Sequence, residues 1–285
     1  MADPTHRLTD AATARACSDA LVHDPQGGMP RLLEIMARLR DPDGGCPWDL
    51  EQTYASIVPY TIEEAYEVAD AVQRGAWDEL ELELGDLLLQ VVYFAQMASE
   101  DRRFDFDSIA QKIADKMVDR HPHVFGEETR ADTAAQNAAW EVHKATERAA
   151  RGEAGVLDGV ALGLPALTRA LKLQKRAARV GFDWNDPHAV LAKVAEESGE
   201  LVEAHASGDA DHVEDEMGDL LFVMVNLARH MGVDPETALR RTNGKFTRRF
   251  GQIEESLAAQ GRTPAEATLE EMDALWTAAK TAEKL

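Results

Sequence analysis

Residues Ala195–Leu201 read AEESGEL. Glu196, Glu197 and Glu200 crowd into five positions there, while Val190, Leu191, Val194, Leu201 and Val202 around them mark a stripe that a helix would bury. A helix turns about 100° per residue, so with Glu196 at zero, Glu197 lies about 100° round and Glu200 about 40° round. All three carboxylates fan across one quadrant, where like charges at helical spacing repel. Either the quadrant is a solvated face, as is common for helical Glu, or a cation sits among the acids.

The same pattern occurs a second time in the chain. IEEAYEV carries Glu63, Glu64 and Glu67, and ELGDLL (Glu83–Leu88) recurs as EMGDLL (Glu216–Leu221). Glu63/Glu196, Glu64/Glu197, Glu67/Glu200, Glu83/Glu216 and Asp86/Asp219 are all 133 positions apart. Further on, KMVDR and KFTRR pair Lys116 with Lys245 and Arg120 with Arg249 at an offset of 129, and Trp48 and Trp184 occupy comparable places upstream. The chain therefore reads as a tandem duplication of one helical unit.

Periodicity predicts an all-α chain, with helices near 32–39, 62–72, 79–98, 109–118, 164–178, 190–206, 213–230 and 235–250. Gly75 and Gly208 break the chain between paired helices, giving two αα-hairpins. Asp186–Pro187 marks a helix start as N-cap and first-turn proline. Thr61–Glu64, TIEE, offers a capping box. The expected layout is a polar, poorly ordered tail over 1–29, a first domain over 30–126, a linker over 127–163 that is partly helical around Trp140, and a second domain over 164–285.

The 285 residues include 30 Lys and Arg against 52 Asp and Glu, a formal charge of −22. That balance argues against nucleic acid as a partner, since phosphate contacts demand basic residues. The longest apolar runs fall short of the roughly 20 residues that cross a bilayer, so no membrane is expected. Cys17 and Cys46 form no disulfide framework, which fits a reducing cytoplasm.

In each copy E-E-x-x-E is followed, after fifteen intervening residues, by E-x-x-D: Glu83 with Asp86, or Glu216 with Asp219. That spacing lets one helix end, turn at the glycine and return antiparallel, so the acids face one another across the hairpin. So much negative charge in a partly buried groove needs counter-charge, and an all-oxygen donor set suits a hard divalent cation. No E-x-x-H is present among nine His, which argues against a di-iron bundle. Magnesium typically arrives with phosphate, which makes Lys245, Arg248 and Arg249, with Lys116 and Arg120 in copy one, candidate phosphate clamps.

RLRDPDGGCPWD, PYTIEEAYEV, ELGDLLLQVV, RHPHVFG, GFDW, DEMGDLLF and KFTRRF together resemble the two-domain bacterial form of the MazG nucleoside triphosphate pyrophosphohydrolases. The resemblance spans nearly everything from Pro30 onward. It implies tandem MazG-like helical hairpin domains packed as bundles, a homodimer, and hydrolysis of NTPs or dNTPs to monophosphate and pyrophosphate with Mg2+, Mn2+ being a possible substitute. Carried over by position, the metal ligands are Glu197, Glu200, Glu216 and Asp219, and Lys193, Lys245, Arg249 and Trp276 meet the substrate. Glu196, at the edge of the fan, is the expected group that activates water. Glu63, Glu64, Glu67, Glu83, Asp86, Lys116 and Arg120 would form a second site, with the C-terminal copy as the main catalytic unit. The alternatives are a dUTP-specific or phosphoribosyl-ATP pyrophosphohydrolase and a nucleotide-binding regulatory dimer.

Overall fold

The computed structural model describes residue 13 and residues 15–126, 155–184 and 186–283, among which every regular element is helical. The chain divides into two compact units, Met1–Trp140 and Glu141–Leu285. Of the expected linker over 127–163, residues 127–154, including Trp140, lie outside the described residues.

In the first unit, residues 15–22 form a short helix, followed by α1 (Gly28–Leu39), α2 (Pro47–Glu51), α3 (Tyr54–Arg74), α4 (Trp77–Glu100), α5 (Phe106–Arg120) and α6 (Pro122–Phe125). The α3–α4 hairpin is the main contact, and α1 and α5 pack against α4. Met36, Ile57, Val92, Tyr93 and Met97 are the buried centre of that packing. Arg40, at the end of α1, grips Glu100 through Nε at 2.9 Å and Nη2 at 2.7 Å and bonds the Asp49 carbonyl at 2.5 Å. Such bidentate pairing fixes orientation as well as adding energy.

The start of α3 departs from the expectation at Thr61. The helix begins eight residues earlier, where Thr53 and Ser56 cap each other reciprocally, and the Thr61 hydroxyl only donates back to the Ile57 carbonyl at 3.2 Å. Pro59 sits inside the helix and forgoes the one bond its amide would have made. Burial of Ile57 and the strong cap outweigh that loss.

The second unit contains α7 (Ala166–Arg179), α8 (Pro187–Ser207), α9 (Ala210–His230), α10 (Pro235–Ala258), a 3₁₀ turn (Pro264–Glu266) and α11 (Leu269–Ala282). The α8–α9 hairpin again dominates, α7 packs on α9 and α10, and α11 packs on α10. Asp186 caps α8 from just before Pro187, as the sequence predicts. Gly75 and Gly208 end α3 and α8 in the left-handed region, at φ 68° and 77°, where a side chain would be strained. Asp209 then caps α9 at once, accepting from the amides of Asp211 and His212. The turn is thus as short as the pattern requires, and it sets the opposed acids in register. Helix α10 runs two turns beyond the expected end at Phe250, passing through Gly251 because Ile253 and Leu257 are buried.

Candidate active site

In the second unit, α8 supplies Glu197 and Glu200 and α9 supplies Glu216, and one carboxylate oxygen from each lies within 4.8 Å of the others. Glu197 is 5% exposed, which makes it the most enclosed acid of the group. Lys193, one turn before it, places Nζ 2.7 Å from Glu197 and 3.0 Å from Glu196. Those two bonds, the Glu197 one foremost, hold the Lys193 ammonium well above its ordinary pKa. Burial pushes the Glu200 carboxyl up, the charge of Glu197 adds to it and Lys193 opposes it. His212 closes the α9 side, its Nε2 standing 3.2 Å from Glu216 Oε1.

Asp219 lies one turn beyond Glu216 on α9 and is exposed, outside the close group of three. Glu196 is exposed too, tied only to Lys193. Of the four expected ligands, the structure therefore brings together three.

The first unit builds a matching group from Glu64, Glu83 and Asp86, again within 4.8 Å of one another. Here the Asp of E-x-x-D completes the trio, while Glu67, the counterpart of Glu200, stands beside it and acts on Glu64 and Glu83. Burial raises Glu64, followed by the charges of Asp86 and Glu67; burial raises Glu83, followed by Glu67. Glu63 is exposed, and Lys116 and Arg120 lie half-buried on α5. The counterpart of Lys193 is Tyr60, which meets the Trp48 ring edge-on at 6.2 Å.

The sequence profile of the MazG nucleotide pyrophosphohydrolase domain matches residues 52–125 and 185–253, one segment on each carboxylate hairpin. The chain belongs to the MazG family. It is 51% identical over 255 residues to the nucleoside triphosphate pyrophosphohydrolase of Escherichia coli K12, covering 89% of this chain and 97% of that one. It is 41% identical over 249 residues to the nucleoside triphosphate pyrophosphohydrolase/pyrophosphatase MazG of Thermotoga maritima, covering 87% and 94%. With the nucleoside triphosphate pyrophosphohydrolase of Mycobacterium tuberculosis H37Rv it shares 36% identity over 182 residues, 63% of this chain and 54% of that one.

Both matched segments stop short of α11, so two of the MazG features expected from sequence meet at their edge. Arg249 donates through Nε and Nη2 to Glu283 Oε2 at 2.8 and 2.6 Å, and its guanidinium lies 5.4 Å from the centre of the Trp276 ring. Trp276 also packs on Phe246 at 5.3 Å, and Arg248 joins Glu283 at 2.7 Å. Arg249 first and then Arg248 hold the Glu283 carboxyl below its usual range. Arg249 thus engages both Trp276 and Glu283, and among the described residues neither Arg249 nor Trp276 is bonded to the carboxylate group. Lys245 is exposed on α10.

Sequence reasoning passed over Glu283 as a partner of the basic pair. An acid 34 positions from Arg249, just past the end of another helix, gives no periodic signal. His212 carries a local signal, because it stands four residues before Glu216 on one helical face.

The donor set fits a hard divalent ion. All three oxygens come from carboxylates, the enclosed acid Glu197 faces two like charges, and oxygens spread over no more than 4.8 Å need only small movements to share an ion bound at about 2.1 Å. In each unit at least one acid is already pushed toward protonation, the alternative way of relieving the repulsion.

Proposed function

We propose that the chain hydrolyses NTPs, dNTPs or both to the nucleoside monophosphate and pyrophosphate, with the chemistry in the second unit. The observation that carries this reading is the Glu197–Glu200–Glu216 group, built on the hairpin that the family profile matches. Glu197, Glu200 and Glu216, with Asp219 swinging in from one turn away, would hold Mg2+, or Mn2+ in its place. The bound ion would supply charge neutralisation on the triphosphate oxygens around the α-phosphorus.

The remaining roles belong to this chain's own residues. Glu196, exposed beside the proposed ligands and bonded to Lys193, would orient a water and take its proton. The water oxygen bonds the α-phosphorus, the bond from that phosphorus to the bridging oxygen breaks, and pyrophosphate departs with the electron pair. Lys193, released from Glu196 and Glu197 once another cation balances them, turns to a phosphate oxygen. Lys245 and Arg249 hold the leaving phosphates, Arg249 after parting from Glu283, and Trp276 lies against the nucleotide.

The lysine supports assigning catalysis to the second unit. Glu63, Glu64, Glu67, Glu83 and Asp86, with Lys116 and Arg120 nearby, form the second site, but Tyr60 replaces the ammonium that would pass from acid to phosphate. A cytoplasmic homodimer is the natural assembly. Leu221, Phe222 and Met224 on α9, with Leu191 and Val202 on α8, leave an exposed apolar face beside the site. Among the described residues no helix is long and apolar enough to cross a membrane.

The test is pyrophosphate release from a panel of NTPs and dNTPs with Mg2+, comparing the full chain with Glu216→Ala and Glu83→Ala. Loss with Glu216→Ala alone supports the reading. No release from any nucleotide by the unmodified protein would refute it.

A further inference from the structure

Between α7 and α9 of the second unit lies a cavity of about 380 Å³, a volume within the range of small-molecule sites. Leu164, Leu167, Leu221 and Phe222 form its walls, and the one charged side chain among the residues that line it is Arg169. Gly218 of α9 lines it too, and a Cβ added there would meet nothing within 4 Å.

Arg169 is half-buried on α7, and among the described residues its side chain makes no hydrogen bond, ion pair or ring contact. Its Nε is fully covered, so the guanidinium lies against the protein instead of swinging out into water on its stem. That nitrogen is out of a ligand's reach. The two Nη groups keep accessible surface and bond nothing among the described residues. A charge partly withdrawn from water without a counter-charge is costly, and the guanidinium fork is shaped to take a carboxylate through two parallel bonds.

The duplication supplies an internal comparison. Pro30, Glu34 and Met36 stand 135 positions before Pro165, Arg169 and Leu171, and Met36 and Leu171 are both buried. The first unit therefore sets an acid where the second sets Arg169. That acid already has a partner, since the Ser18 hydroxyl donates to Glu34. One positive charge among otherwise apolar walls also selects the ligand. A phosphate monoester carries nearly two charges at neutral pH and would leave one unmatched. A monocarboxylate with an aliphatic tail matches the charge with its head and the leucines with its chain.

We infer that this cavity binds an aliphatic monocarboxylate of the fatty-acid type, its head on the Arg169 Nη pair and its tail between α7 and α9. The inference stands apart from the pyrophosphohydrolase reading, because none of the proposed metal ligands lines the cavity.

The test is calorimetric titration of the full chain with decanoate. Decyltrimethylammonium, with the same tail and the opposite head, and acetate, with the head alone, are measured beside it. Decanoate should bind once per chain, and the other two at least tenfold more weakly. Arg169→Met should weaken decanoate at least tenfold, the loss of a charge-assisted pair, and Gly218→Leu, which fills the cavity, should remove binding. No decanoate binding, as when a second copy covers the cavity in solution, overturns the inference. Equal binding of the cationic amphiphile, or unchanged binding in Arg169→Met, marks apolar adsorption and overturns it as well. Melting temperatures check the variants. Without ligand, Arg169→Met should melt no lower than the wild type, because it gives up no bond, and Gly218→Leu no lower because leucine favours a helix more than glycine does. A lower value for Arg169→Met would show that the guanidinium already has a partner in the protein, which also overturns the inference. If Gly218→Leu does not fold, Arg169→Met decides the matter alone.

Discussion

Replacing Glu197 by Gln changes the shape of the site little and removes one of three charges whose oxygens lie within 4.8 Å. Glu197 is the acid to change because it is the most enclosed of the group, so water replaces its contribution least. In a Glu83→Gln background, where the first-unit group is disabled, Mg2+ at a hundredfold excess over its dissociation constant should stabilise the second unit by about 2.7 kcal/mol. For a unit of this size, that raises the melting temperature by about 5–10 °C. Deleting an enclosed charged ligand typically costs about 3 kcal/mol, roughly 150-fold in affinity. The same Mg2+ concentration then falls below the new dissociation constant, and the stabilisation shrinks to about 0.3 kcal/mol, under about 1 °C. In EDTA, Glu197→Gln should melt no lower than its parent, because relief of repulsion from Glu200 and Glu216 offsets the lost bond to Lys193. Scanning calorimetry with and without Mg2+ reads both numbers. A variant that keeps the full magnesium shift would show that Glu197 is no ligand, and a parent with no shift would remove the metal site altogether.

Three further outcomes follow from the same geometry. Glu196→Gln should lower kcat by about 10²–10⁴-fold while Mg2+ binding, measured by calorimetric titration, stays at the wild-type value; equal loss of both would make Glu196 a ligand. Glu283→Gln frees Arg249 and Arg248, so KM for NTP should fall, whereas a rise would mean that Glu283 positions Arg249 for the phosphate. Burial works to raise the Asp183 carboxyl, but Arg229 and then His230 outweigh it and hold it below the usual carboxylate range. A depressed carboxyl contributes stability that is present above its unfolded value of about 3.9 and is lost as pH falls through the folded one. The urea midpoint of the wild type should therefore drop more steeply below about pH 4 than that of Asp183→Asn. Parallel curves would show that the pair adds nothing.

Both hairpins are legible in the sequence because a charge pattern at helical spacing, repeated without a gap at one offset, leaves few other folds. The αL glycines and the Asp186 and Asp209 caps are local chemistry and can be read the same way. Thr61 misleads because TIEE satisfies the capping pattern, while the stronger reciprocal cap between Thr53 and Ser56 lies on the far side of a proline that looks like a break. The end of α10 is hidden by Gly251, whose propensity is overridden by tertiary burial of Ile253 and Leu257. Which acids converge is not legible at all. Asp86 and Asp219 hold identical places in the repeat, yet only Asp86 joins its group. The neighbours differ instead: Lys193 and His212 stand where the first unit has Tyr60 and Glu79, and side-chain direction depends on them.

The turn at Gly208 and Asp209 also bears on how the protein reaches its native state. Glu200 and Glu216 are only sixteen positions apart, and the two helices carrying them are consecutive, so the cluster closes through sequence-local contacts. Local contacts form early, because little loop entropy is lost in making them. The hairpin can gather its acids before α7, α10 or α11 has docked, and until a counter-ion arrives it does so against their mutual repulsion. Divalent cations present during refolding should therefore speed the folding limb of the second unit's chevron, more than they slow its unfolding limb.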